Sequence, residues 1–209
     1  LEDVDQIAGR MGSGLQMMSF SATIPNGLKP FLKKYMKQPQ TVQIESSEHF
    51  QPQIRHVLVP CRHMSYPQKL MEVLKGIQPY VCLIFANTRL MAAQTAEAMR
   101  AEGYGVVELH GDLTARERTR ALKELQQQSK SYVVATDIAA RGIDIEGITH
   151  VISLGFPKEL DFYIHRSGRT GRAGRDGVCY ALYRAEDDAM IRTLEKNGIH
   201  FEHQNIRGG

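Results

Sequence analysis

The sequence has no hydrophobic run near the roughly 20 residues that a membrane-spanning helix requires. This excludes an integral helical membrane protein, and no membrane partner is expected. No secretory leader is expected: the opening LEDVDQIAGR is acidic and polar, where a leader needs a basic start and an apolar stretch. Cysteine is scarce. Cys61, Cys82 and Cys179 lie far apart and form no CxxC pair, no zinc-ligand spacing and no even-numbered disulfide framework. Three reduced thiols are expected, with Cys82 and Cys179 on buried strands. That pattern suits a reducing, cytoplasmic setting and no metal site. Neither sign of charge dominates: 26 − 23 gives +3. A mildly basic chain permits a polyanionic partner without demanding one, so the placement of the arginines decides the matter. There is no internal repeat and no low-complexity tract, and the final RGG is too short to count as one. What remains, 42% hydrophobic and 23% charged over 209 residues, is the composition of a globular domain, or of one domain plus a piece of another.

From about residue 55 onward, short apolar runs alternate with amphipathic stretches. Strands are predicted at Arg55–Pro60, Val81–Ala86, Val106–Leu109, Tyr132–Thr136, His150–Leu154 and Val178–Tyr183. Helices are predicted at Pro67–Lys75, Leu90–Ala101, Ala115–Gln128, Leu160–Gly168 and Asp187–Lys196. Strands separated by helical patterns of this length indicate βαβ units. The strand runs are apolar throughout rather than alternating, as burial on both faces of a parallel sheet requires. The fold class is therefore α/β, a three-layer parallel sheet with helices on both faces. The first forty residues read differently. Leu15–Ser21 is predicted as a strand and Gly27–Met36 as a basic amphipathic helix, one β–α unit that is too little to bury its own core. Lys37–Gln53, with two prolines and several polar residues, reads as a linker, although TVQI within it could be an edge strand.

Five polar clusters follow predicted strands. The densest is HRSGRTGRAGRDG, His165 to Gly177, with arginines at 166, 169, 172 and 175 and glycines between them. A spacing of three places Arg169 and Arg172 within one turn, so both can aim at one polyphosphate. Guanidinium forks bind phosphate oxygens bidentately and stay charged at physiological pH. ATDIAARGIDI follows YVVAT directly, at the strand end where open α/β sheets bind ligands. There Thr136 offers a hydroxyl, Arg141 a phosphate contact and Asp144 an acceptor for a ribose hydroxyl. A strand end with capping Thr and Asp would read the same way. In LHGDLTARER, Gly111 permits close backbone approach, and Thr114 with Glu117 spells a capping box. LIFANTR ends a buried strand with Asn87, Thr88 and Arg89, and Ser21–Ala22–Thr23 ends the amino-terminal strand.

Taken in order, SAT, LIFANT, HGD, ATDIAARGID and HRSGRTGR resemble the carboxyl-side motifs of the DEAD-box RNA helicases. Pro157 and Tyr163 also fit that pattern, and the resemblance covers essentially the whole chain. It implies a RecA-like fold, with residues 1–37 as the end of a first RecA-like domain, 38–54 as an interdomain linker and 55–209 as the second domain. In such helicases the two domains sandwich ATP and bind one RNA strand across both. The first domain carries the phosphate-binding loop and the DEAD carboxylates; neither GxxxxGK[ST] nor DEAD occurs here. The resemblance implies that Arg169 and Arg172 are arginine fingers, that Gly142 and Asp144 contact ATP with them, and that Asn87, Thr88, Gly111, Arg118, Thr136 and Arg141 contact RNA. Ser21, Thr23 and His165 would couple the domains. The partners implied are ATP with Mg2+ held mainly by the first domain, that domain itself, and RNA, single-stranded or a short duplex, bound through its backbone without regard to sequence. The chain alone would then lack ATPase activity. One departure is Ala115, where the family often has Gln three residues before Arg118, so a supporting hydrogen bond is expected to be absent. Two other readings are a stand-alone RNA-binding or regulatory module without catalysis, and a related DNA motor.

Overall fold

A computed structural model describes residues 2–11, 16–20, 28–36, 38–42, 54–127, 131–141, 145–172 and 175–203. The chain divides into two compact units, Leu1–Ser47 and Glu48–Gly209.

In the first unit, α1 (Glu2–Gly9) and α2 (Leu28–Tyr35) are tied by one carboxylate. Asp5 accepts from Lys34 Nζ at 2.8 Å and from the Tyr35 hydroxyl at 2.6 Å. α1 was not expected from the sequence, although Val4, Ile7 and Ala8 fall at the i, i+3, i+4 spacing of one helix face. The expected strand over Leu15–Ser21 is not formed: residues 16–20 lie outside any strand. A strand is stable only beside a partner, and no described segment pairs with it. Within TVQI, Thr41 and Val42 likewise lie outside any strand, and the rest falls outside the described residues.

The second unit is a seven-stranded sheet. Its strands are β1 (Ile54–Pro60), β2 (Val81–Ala86), β3 (Val106–Leu109), β4 (Ser131–Ala135), β5 (Ile148–Leu154), β6 (Gly177–Tyr183) and β7 (Phe201–His203). They run in the order β3-β4-β2-β5-β6-β1-β7, and every pairing is parallel. The connecting helices are α3 (Tyr66–Gly76), α4 (Arg89–Ala101), α5 (Ala115–Gln127), the single turn α6 (Asp137–Ala140), α7 (Leu160–Ser167) and α8 (Asp188–Lys196). β2 is buried along its whole length, and its side chains alternate between the two faces. Leu83 and Phe85 join a core with Leu125, Tyr163, Ile191 and Leu194, from α5, α7 and α8. Cys82, Ile84 and Ala86 join a second core with Leu70, Val73, Ala92 and Met99, from α3 and α4. Two layers of helices therefore sandwich the sheet. Each fully buried Leu, Ile or Phe contributes about 1.5–3 kcal/mol.

The predicted strands and helices of this unit are present, with ends shifted by one or two residues. Three elements went unforeseen among the described residues, α6, β7 and a 3-10 turn at Ala185–Asp187, each four residues or fewer. The order of strand addition switches sides at β2: β3 and β4 lie on one side of it, while β5 and β6 lie on the other. That switch leaves a crevice beyond the carboxyl ends of β4, β2 and β5, where such sheets take ligands. Among the described residues no helix is long and apolar enough to cross a membrane.

Candidate functional site

Three strands deliver polar residues to that crevice: Asn87 and Thr88 after β2, Thr136 after β4, and Gly155 after β5. The group that binds them together is Arg166, which is 1% exposed. Tyr163, Arg166 and Ser167 form the buried side of α7, so this arginine faces the sheet instead of the solvent. Its five N–H donors are all used. Nε and Nη2 grip Asp137 at 2.7 and 2.6 Å, Nη2 also donates to Asn87 Oδ1 at 2.7 Å, and Nη1 donates to Ser153 Oγ at 2.6 Å and to the Gly155 carbonyl at 3.3 Å. The Phe85 ring lies under the guanidinium at 5.3 Å. A buried cation is tolerated only with this degree of pairing. Of the four evenly spaced arginines, Arg166 is thus structural. The three-residue spacing is local and could not show which member turns inward, although the apolar Tyr163 three residues earlier was a signal.

Each end of the Asn87 amide makes one bond to the protein, since Oδ1 accepts from Arg166 and Nδ2 donates to the Phe156 carbonyl at 3.0 Å, and each end keeps further hydrogen-bonding capacity. Gly155 sits at φ +79°, and a Cβ there would lie 2.9 Å from the Tyr66 hydroxyl and 3.2 Å from Asn87 Nδ2. Only glycine fits.

Beside this hub is an open cleft lined by Phe85, Asp137, Ala140, Arg141, Phe162, His165, Arg166 and Arg169. Its one carboxylate, Asp137, is already held by Arg166, so the cleft's remaining charge is positive. His165 and Arg141 are exposed. Arg172 is exposed, and its Nε donates back to the Gly168 carbonyl at 3.2 Å. Past the end of α7 the turn continues through Arg169 N to Arg166 O at 3.1 Å and Thr170 N to Ser167 O at 3.1 Å. Thr170, buried, then donates to the Ile148 carbonyl at 2.7 Å and pins the loop to β5.

Thr136 stands at the cap position of α6, 8% exposed, yet its hydroxyl makes no capping bond. Thr88 does cap α4, accepting from Met91 N at 3.1 Å. The capping box read at Thr114 and Glu117 is present: Thr114 N donates to Glu117 Oε2 at 2.8 Å, and Glu117 N donates to Thr114 Oγ1 at 3.3 Å. The Thr114 N–H and the Thr114 hydroxyl, which donates to Oε2 at 2.8 Å, hold the Glu117 carboxyl below the usual range. Gly111 is exposed, and a Cβ there would meet nothing within 4 Å, leaving room for a chain to approach. Arg118 donates through Nη2 to the carbonyls of Ala139 at 2.9 Å and Arg141 at 3.5 Å, tying α5 to α6. Arg89 pairs with Asp112 across the neighbouring loops. Gly142, Asp144, Ser21 and Thr23 lie outside the described residues. Among the described residues no group of three His, Cys, Asp or Glu could hold a metal.

Sequence reasoning also missed a buried cluster beneath α7. The Tyr163 hydroxyl lies 2.9 Å from His56 Nδ1 and 3.8 Å from Cys179 Sγ. Phe156 stacks on the Tyr163 ring at 5.2 Å. Burial pushes His56 down to about 4 and the Cys179 thiol up to about 12. The lead-in to α7 gave no sign of a histidine 107 residues away.

An all-parallel sheet sandwiched by helices, with a cleft at its switch point, is the architecture of a RecA-like domain. The family model "Helicase conserved C-terminal domain" matches residues 65–174. The chain is 46% identical over 203 residues to the DEAD-box ATP-dependent RNA helicase CshB of Listeria monocytogenes, covering 97% of this chain and 47% of that protein. Among solved structures it resembles the E. coli DEAD-box protein SrmB bound to regulator of ribonuclease activity A, with TM-score 0.64 and 29% identity over 74% of this chain and 90% of that one. It also resembles S. cerevisiae Dbp5 bound to RNA and ADP BeF3, with TM-score 0.82 and 24% identity over 97% of this chain and 55% of that one. The chain belongs to the helicase carboxyl-terminal domain family, in its DEAD-box branch. It spans about half the length of the curated relatives it matches.

Proposed function

We propose that this chain is the carboxyl-side half of an ATP-dependent RNA helicase that completes an ATP site begun by another domain. The observation that carries the reading is a cleft lined by Arg169, Arg141 and His165 whose one carboxylate is neutralised by Arg166. Such a surface suits a polyanion. In this reading Arg169 and Arg172 act as arginine fingers on the γ-phosphoryl group. Gly142 and Asp144 hold the ribose side of ATP, and Mg2+ is held mainly by the first RecA-like domain. Residues 1–37 belong to that first domain, 38–54 form the linker and 55–209 form the second domain, with Ser21, Thr23 and His165 coupling the two.

Arginine stabilises charge developing on a transferring phosphoryl group, and supplying it from a second domain makes hydrolysis depend on closure. Asn87, Thr88, Gly111, Arg118, Thr136 and Arg141 hold one RNA strand by its backbone, so binding is independent of sequence. A strand spanning both domains is bent, which opens a short duplex locally, and hydrolysis then releases the RNA. The 46% identity to CshB of Listeria monocytogenes, a DEAD-box ATP-dependent RNA helicase, supports the reading. Buried thiols, none in a disulfide, fit a reducing cytoplasm.

In the intact parent, Arg169→Ala is expected to lower RNA-stimulated ATPase by at least ~10³-fold. Unchanged turnover removes the finger assignment. The 209-residue chain alone is expected to hydrolyse no ATP, and turnover that persists through purification contradicts the division of labour.

A further inference from the structure

The guanidinium of Arg141 lies over the ring of Phe162, 4.8 Å from its centroid. Both residues line the cationic cleft. Arg141 ends α6, with its backbone carbonyl accepting from Arg118 Nη2 at 3.5 Å. No carboxylate pairs with its side chain among the described residues: Asp137, the one acid in the cleft, is engaged by both Nε and Nη2 of Arg166. Phe162 is half-buried on α7, one residue before Tyr163, whose ring and hydroxyl fix the helix on the sheet.

Stacking uses the face of a guanidinium and leaves its in-plane N–H fork available. An exposed arginine otherwise samples many rotamers, and a ligand that captures it must meet that ordering cost. An arginine already held over an aromatic ring meets little of it.

We propose that Phe162 is a positioning residue, which holds the Arg141 guanidinium flat so that its free edge presents a preformed bidentate site to one RNA backbone phosphate. The inference rests on the reading of Arg141 as an RNA contact. Phe162 itself touches no substrate. It acts through Arg141, so its contribution disappears when that partner is removed. The ring must be aromatic, since an aliphatic side chain of similar bulk fills the space but offers no π face.

The test uses the full-length parent, fluorescein-labelled oligouridine and a non-hydrolysable ATP analogue, with RNA affinity read by anisotropy. Phe162→Leu is expected to weaken binding about 3-fold or more, and Phe162→Tyr to bind as the wild type does. KM for ATP stays at its wild-type value in both. In an Arg141→Ala background, Phe162→Leu adds nothing further. The proposal is overturned if Phe162→Leu binds like wild type, if the Leu and Tyr variants lose affinity equally, if the loss persists without Arg141, or if it appears in KM for ATP instead of RNA affinity. Should Arg141→Ala alone leave RNA affinity intact, the RNA role of Arg141 fails and this inference with it. The Arg169→Ala result is independent of that outcome.

Discussion

Arg166 shows how much one side chain carries. It joins α7, α6 and the ends of β2 and β5 through five hydrogen bonds, and with 1% exposure it cannot fall back on water. Removing one member of a buried ion pair strands the other, at a cost of about 3–5 kcal/mol. Arg166→Ala is expected to lose that much in urea unfolding of the 209-residue chain. Arg166→Lys is expected to recover little, because an ammonium supplies three donors where five are used. A loss under about 1 kcal/mol for either variant would show that the hub is not built as described. His56 makes a pH-dependent contribution. Its folded value of about 4 lies below the ordinary 6.5, so between those values the unfolded chain binds more protons than the folded one. Stability then rises with pH through that window and is lost as pH falls from 6.5 toward 4. The melting temperature is expected to drop between pH 7 and pH 5, and less steeply in His56→Asn, which keeps an acceptor near Nδ1 but does not titrate. Equal slopes for the two proteins would remove His56 as the cause.

At the scale of elements, periodicity gave the six long strands and five long helices of the second unit, because each is a run of apolar residues whose spacing matches its own geometry. The elements it missed are those that tertiary pairing holds together. β7 is three residues long and pairs with β1, and α6 is one turn. The strand expected at Leu15–Ser21 had suitable residues, but among the described residues no segment pairs with 16–20. Local signals were most faithful where the interaction was itself local, as at Thr114 and Glu117, three residues apart. Thr114→Ala is expected to cost about 1 kcal/mol in urea unfolding, concentrated in α5. Hydrogen exchange of the first turn of α5 should rise in step. Protection that stays at the wild-type level would mean the cap does not hold that turn.

For the whole molecule, both hydrophobic cores of the second unit are built from residues between Ile54 and Phe201. Residues 48–209 are therefore expected to fold alone with a cooperative melt close to that of the 209-residue chain. A broad, non-cooperative transition in that fragment would contradict the division into units. The candidate site was partly legible for the same reason that the fold was. Motifs at strand ends gather wherever a parallel sheet places its carboxyl edge, so the position of Asn87, Thr88, Thr136 and Gly111 just after strands could be read from order alone. Phe162 and His56 were not, since each matters through a partner that the fold brings from another element.

The sequence by itself determined the alternation of strands and helices, the two-sided burial of β2 and the rhythm of arginines after His165, because all three are properties of neighbouring residues. Only the tertiary structure decided that Arg166 turns inward while Arg169 lines the cleft. Which side of α7 is covered depends on Asn87 and Asp137, 79 and 29 residues away, and no local spacing encodes where those side chains will stand.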